Sequence, residues 1–232
     1  MKLLLCSDFS DVGYKFLNRF FKDVEGLRCL FVGYASDDPD EENSGSAVKL
    51  KNMGIRVDFL NENYKFEHKI DMIFVRGGNT TRLLHLLLKF NQFNKIDELV
   101  KGGVLYIGSS AGSILAGTDT EFTLRSEPYE FDLKQIYGKN ALKGYGWVNK
   151  LVFVHCSRYR MCWDEEREDE NDLFKTLDTF CYPAYLSDCR RFKKEEFIKV
   201  ANNEAFYVNG DEQKILRFNW KNLPFKIVKH EN

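Results

Sequence analysis

The chain has 232 residues, of which 44% are hydrophobic, 30% charged and 15% aromatic, enough apolar material for one sizeable core. The formal net charge is −1, so no global basic field exists to draw nucleic acid or anionic lipid. The six cysteines lie at positions 6, 29, 156, 162, 181 and 189 with no C-x-x-C pair, which argues against a zinc ribbon or a redox motif and for reduced thiols.

The opening run MKLLLCSD meets Ser7 and Asp8 too soon to be a signal-peptide core or a membrane span. It reads as a first β-strand, and a cytoplasmic protein is the expectation. VGYKFLNRFFKDV follows with apolar residues at helical spacing, LRCLFVGYA is a second buried strand, and DDPDEENSG a solvated loop. SAVKLKNMG is a short helix ending at Gly54, IRVDFL a third strand and DMIFVRGG a fourth. TTRLLHLLLKFNQF is a helical block, GGVLYIGSS a fifth strand, and ILAG begins the next helix. Beyond it lie the strand LVFVHC, an acidic helix start DEEREDENDLFKTL, and a β-hairpin EAFYVNGDEQKILRF turning at Asn209-Gly210. Strand–helix alternation with continuous hydrophobic strands predicts a three-layer α/β fold, a mostly parallel sheet covered by helices on both faces. With no repeat, low-complexity tract or Pro-rich linker, residues 1–232 are expected to form one domain.

Reactive groups in such a sheet collect at the carboxyl ends of the strands. VLYIG delivers Gly108 and Ser109 to that edge, and Ser110 stands at the strand-to-helix turn in the spacing Gly108-x-Ser110-x-Gly112. Small neighbours suit a tight, strained turn that projects a nucleophilic serine, with the Ala111 N–H and the helix N-terminus facing an acyl oxygen on it. An N-cap serine in a glycine-rich connection is the plainer reading.

A serine needs a base, usually histidine steered by a carboxylate. Of the four histidines, His230 is in the tail, His68 in a charged loop and His85 on a packed or half-exposed helix face, whereas His155 ends an apolar strand and should reach the edge that carries Ser110. Glu121, Glu127, Glu130 and Asp132 lie between the two, and spacing does not choose among them. Gly77-Gly78, ending the fourth strand, should sit beside the serine loop and offer a second oxyanion donor, with Asn79 or Thr80 opening a helix.

Taken together, FVRGGNTTRLLHLL, LYIGSSAGSILAG and FVHCSRY, in this order, resemble the peptidase E family of serine peptidases, which includes the aspartyl dipeptidases and is related to cyanophycinase. The similarity runs from residue 1 to about 218 and takes in NNEAFYVNG, which looks like the family's late hairpin. The resemblance implies a flavodoxin-like fold akin to class I glutamine amidotransferases, with serine where those enzymes use cysteine. It implies Ser110 as nucleophile and His155 as general base. Glu127, seventeen residues past the serine (127 − 110), falls where the family's acid lies, with Glu130 and Asp132 behind it. Ala111 with Gly78 or Gly77 would supply the oxyanion amides, and Asn79 would contact substrate. An arginine after the histidine reads the acidic side chain in the aspartyl dipeptidases; Arg158, Arg160 and Arg167 are the candidates, Arg167 falling nearest and Arg158 next considered. The residues around the base read FVHC where relatives often carry N-P-H or L-P-H, and the following loop is crowded with Tyr159, Trp163 and acids.

The expectation is thus a serine-type, dipeptidase-like hydrolase acting on a small peptide or amide, needing no metal or organic cofactor, with no nucleic-acid or membrane partner and with a homodimer left open. An α/β-hydrolase esterase would need an HGGG-type loop near the start and a histidine far downstream, and the chain has neither. A non-catalytic relative binding a small ligand or partner is the alternative, and the distance from Ser110 to His155 discriminates.

Overall fold

The computed structural model describes residues 1–9, 11–38, 41–124, 129–155, 196–201 and 204–217. Seven strands form the main sheet: β1 (Lys2–Cys6), β2 (Arg28–Val32), β3 (Arg56–Phe59), β4 (Met72–Val75), β5 (Leu105–Ser109), β8 (Glu204–Asn209) and β9 (Glu212–Arg217). Their order is β3-β2-β4-β5-β1-β8-β9. The first five run parallel, β8 joins β1 antiparallel, and β9 returns antiparallel beside β8. A separate parallel pair joins β6 (Leu151–Phe153) to β7 (Phe197–Lys199).

The parallel strands are hydrophobic throughout because both their faces are covered. In β1, Leu3 and Leu5 point into one core cluster while Leu4 and Cys6 point into the other. The first cluster receives α3 (Thr80–Lys89), α4 (Phe93–Lys101) and α5 (Ala111–Leu115) through Leu83, Leu87, Ile96, Val100 and Ile114. The second receives α2 (Gly45–Asn52) through Ala47 and Leu50, and Phe9 and Leu17 from the segment containing α1 (Asp11–Phe16). Burying one such leucine is worth about 1.5–3 kcal/mol, so the alternation along each strand sets which face each helix covers. This is the flavodoxin-like α/β arrangement expected from the sequence.

Four details differ from that expectation. The helical block after Gly78 breaks at Asn91, which takes left-handed backbone at φ 55, so α3 and α4 are separate helices. The late hairpin turns one residue on, at Gly210-Asp211, because Asn209 still pairs with Glu212 and Gly210 supplies φ 62. Strand β7, FIK, is too short to show a period. The strand before His155 belongs to the small sheet rather than the large one. The acidic helix start at 164–177 lies outside the described residues.

All five parallel strands end at one edge, with Cys6, Val32, Phe59, Val75 and Ser109 as their last residues. Among the described residues, no helix is long and apolar enough to cross a membrane. No group of three or more His, Cys, Asp or Glu there could hold a metal ion. Cys6 and Cys29 are buried and unbridged, and burial pushes both thiols well up.

Candidate active site

Strand β5 lies between β4 and β1, so its carboxyl end opens at the middle of the edge. Ser110 follows it at φ 47 and ψ −108, a conformation that L side chains rarely adopt, and α5 starts at Ala111. The turn is held on every side. The Ser110 N–H donates to the Cys6 carbonyl at 2.9 Å, and the Ser110 carbonyl accepts from the N–H groups of Ser113 and Ile114. Ser113 Oγ bridges the carbonyls of Cys6 and Gly108 at 2.7 and 2.8 Å. The buried Tyr106 hydroxyl donates to the Gly112 carbonyl at 2.7 Å.

Only glycine fits two places in this turn. A Cβ on Gly108 would stand 2.6 Å from the Ser113 nitrogen, and one on Gly112 would stand 2.4 Å from the Val75 carbonyl oxygen. The G-x-S-x-G spacing therefore records backbone crossing backbone between β5, α5 and β4.

Gly77 and Gly78 leave β4 directly beside the serine. A Cβ on Gly77 would meet the Ser110 Cβ at 2.9 Å, and one on Gly78 (φ 143) would meet the Ala35 carbonyl oxygen at 2.1 Å. The Asn79 N–H donates to that same Ala35 carbonyl, while Asn79 Oδ1 accepts the Arg82 N–H at 2.8 Å and caps α3. Among the described residues, the N–H groups of Gly77, Gly78 and Ala111 make no hydrogen bond.

His155 follows β6 and Val154, and reaches the serine from the small sheet. Its Nε2 lies 3.1 Å from Ser110 Oγ, so residues 45 apart in sequence meet over the edge. Its backbone is left-handed at φ 56. The His155 N–H donates to Ser7 Oγ at 2.8 Å, and the Ser7 hydroxyl donates to the Val200 carbonyl at 2.6 Å. Val200 is itself tied to β6, its N–H donating to the Phe153 carbonyl at 2.9 Å. Neither Ser7 nor Val200 was legible as a site residue, although Ser7 does follow a buried strand at the functional edge.

Not all expected residues can be placed. Glu127 lies outside the described residues, as do Arg158, Arg160, Arg167 and His230. Glu130 is exposed. Asp132 is occupied as the cap of α6 (Leu133–Tyr137), accepting from the N–H groups of Lys134 and Gln135. His68 is exposed in its loop, and His85 is buried among the rings of Tyr129, Phe131 and Tyr137.

Beside the two loops is a cavity of about 240 Å³ whose walls include Asp8, Phe9, Tyr14, Ser44, Lys49 and Arg76. Asp8 sits between Ser7, which holds His155, and Phe9, whose N–H donates to Ser109 Oγ at 3.2 Å. Arg76 directly precedes Gly77 and pairs with Asp38 at 3.5 Å. The cavity carries both signs of charge, and its Asp8 and Arg76 are chain neighbours of Ser7 and Gly77.

The profile of the family described as Peptidase family S51 matches residues 3–216. Peptidase E of Streptomyces coelicolor is 31% identical over 131 residues, a stretch covering 53% of this chain and 54% of the relative. A Drosophila melanogaster protein named a probable alpha-aspartyl dipeptidase is 36% identical over 104 residues, 43% of each chain. These matches thus span about half the length of the curated relatives concerned. A Listeria monocytogenes crystal structure provisionally named peptidase E superimposes with a TM-score of 0.67 at 22% identity, covering 94% of this chain and 98% of that one, a likeness of fold.

Proposed function

The chain belongs to peptidase family S51, and from that premise we infer that it is a serine hydrolase, dipeptidase-like, cleaving a small peptide or amide through an acyl-enzyme on Ser110. The observation that carries this reading is the 3.1 Å approach of Ser110 Oγ to His155 Nε2. Two side chains from separate sheets, both on disfavoured backbone, are held at hydrogen-bond distance where a helix begins.

In this reading Ser110 stands on a nucleophile elbow. His155 accepts the Ser110 proton at Nε2, which requires its other ring proton on Nδ1 and a carboxylate to receive that N–H. Glu127, which the family resemblance puts in that place, is the carboxylate of this reading, with Glu130 and Asp132 behind it. As Oγ bonds to the substrate carbonyl, the oxygen takes up negative charge and turns toward the N–H groups of Ala111 and Gly77 or Gly78. Donors preorganised at such a position are worth about 2.7–4 kcal/mol each in the transition state. The imidazolium then returns its proton to the leaving amine, and water, deprotonated by the same imidazole, releases the acyl group and restores Ser110. No step calls on a metal or organic cofactor.

The 240 Å³ cavity has room for a side chain or two and supports a small substrate. Its carboxylate and cations, Asp8 against Lys49 and Arg76, suit a substrate carrying both an amine and an acid. Asn79, Arg158 and Arg167 complete the set of substrate contacts in this reading, and a cytoplasmic site of action accords with the unbridged Cys6 and Cys29.

The test is covalent labelling of the full chain with a fluorophosphonate probe, beside a dipeptide library comparing Asp-X with neutral pairs. Wild type should label once per chain and Ser110→Ala not at all, with equal thermal stability. Labelling that survives in Ser110→Ala would remove the assignment.

A further inference from the structure

Two consecutive residues of one strand end hold the two halves of the site. The Cys6 carbonyl accepts the Ser110 N–H and the Ser113 hydroxyl, fixing the serine turn. The next residue, Ser7, accepts the His155 N–H and passes its own proton to the Val200 carbonyl, fixing the histidine turn to both β1 and the small sheet. Adjacent Cα atoms stand about 3.8 Å apart and cannot vary, so the separation of the serine and histidine turns is tied to a covalent length. Ser7 is 1% exposed, so no solvent competes for these bonds.

We propose that Ser7 is a positioning residue for the acyl-transfer reaction, setting the reach of the His155 imidazole to Ser110 through the histidine backbone. This rests on the serine-hydrolase reading above. The physical need is clear from the His155 backbone. At φ 56 a non-glycine residue sits in a minor region and relaxes out of it unless its neighbours over-determine it. Ser7 is the side chain that grips the N–H at that point, from the large sheet, while the imidazole belongs to a segment leaving the small one. Removing the hydroxyl takes this partner from two backbone groups, the part-buried His155 N–H and the buried Val200 carbonyl, and cuts this tie between the histidine turn and the end of β1. Ser7 touches no reacting atom in this scheme; it acts through His155 alone.

The experiment measures fluorophosphonate labelling of wild type, Ser7→Ala and Ser7→Thr as full chains, separating the maximal labelling rate, the half-saturating probe concentration and the final stoichiometry. Misplacement by about 1 Å costs on the order of 100-fold in such reactions, so Ser7→Ala should label about 10- to 100-fold more slowly. Its half-saturation should be unchanged, and it should still reach one label per chain. Ser7→Thr, which keeps the hydroxyl, should recover most of the rate. A purely structural role predicts a different pattern: a smaller labelled fraction whose members react at the wild-type rate, and that result overturns the proposal, as does a wild-type rate in Ser7→Ala. Should Ser7→Ala fail to fold, Ser7→Cys carries the same comparison, its thiol being a weaker partner for both backbone groups. A wild-type chain that never labels fails the hydrolase reading and takes this inference with it; a wild type that labels beside an equally fast Ser7→Ala fails this inference alone.

Discussion

Ser110 and His155 meet side chain to side chain at 3.1 Å, and each stands on left-handed backbone, at φ 47 and φ 56. The contact is therefore bought twice with conformational energy, because each residue would relax to a commoner region if released.

That strain is measurable at Ser110. A residue in so sparse a region costs about 1–3 kcal/mol, and glycine removes the cost while giving back about 0.5–1 kcal/mol in chain entropy. Ser110→Gly should thus stabilise the protein by about 1 kcal/mol, a rise of roughly 2–4 °C in melting temperature for a chain of this size, while abolishing labelling. Calorimetry on the variant decides it; an unchanged or lower melting temperature means the turn is not strained.

The glycine at 112 should behave in the opposite way to most helical glycines. Replacing an exposed helical glycine with alanine usually helps by about 1 kcal/mol. Here the new Cβ would be driven to 2.4 Å from the Val75 carbonyl oxygen, with Val75 Cβ at 2.9 Å. Overpacking against backbone costs about 1–3 kcal/mol, so Gly112→Ala should lower the melting temperature and slow labelling together, by pushing α5 and Ser110 off β4. A variant more stable than wild type would contradict the close approach.

The parts of this molecule that could be read from sequence are those where one residue type has one use. Continuous apolar strands such as MIFV signal burial on both faces, and Gly108 and Gly112 signal backbone contact that no Cβ permits. The meeting of Ser110 with His155 was legible in outline, because both follow strand ends. The route was not. His155 arrives from a two-stranded sheet whose second member, Phe197–Lys199, is three residues long and pairs 46 residues on, Phe153 opposite Lys199 (199 − 153). The break at Asn91 was hidden because helical i, i+3 spacing of apolar residues carries on across it, from Phe90 to Phe93. Ser7 was hidden because its partners, His155 and Val200, lie 148 and 193 residues away, and nothing in CSDFS marks a hydroxyl that works at such range.

Tyr106 offers a prediction about the same turn from beneath. Its hydroxyl is fully buried under the Gly112 carbonyl, and burial pushes the phenol well above its ordinary range, so it remains a donor at any working pH. Tyr106→Phe keeps the packing against Trp147 and removes the bond alone. The loss should be about 1–3 kcal/mol, the cost of leaving a buried acceptor short of its donor. Denaturant unfolding gives the value, and it should be the same at pH 6 and pH 9. A loss that fades at pH 9 would mean that the phenol ionises in the folded chain.

His85 sets the last expectation, on stability against pH. Its ring is 6% exposed, packed edge-on against Tyr129, Phe131 and Tyr137, and its Nδ1 is buried with no hydrogen-bond partner among the described residues. Burial lowers its pKa below the ordinary 6.5, the nearby cations Lys89 and Arg82 lower it further, and Glu130 only partly opposes them. The fold therefore holds the neutral imidazole, and the unfolded chain binds the extra proton more readily. The stability linked to this group is fully present above pH 6.5 and drains away as the pH falls through the lower folded value. Melting temperatures of wild type and His85→Gln, taken from pH 8 to pH 5, should show a steeper decline in wild type. Parallel curves would mean that the folded and unfolded chains bind this proton alike, and that the aromatic cage accepts the imidazolium without cost.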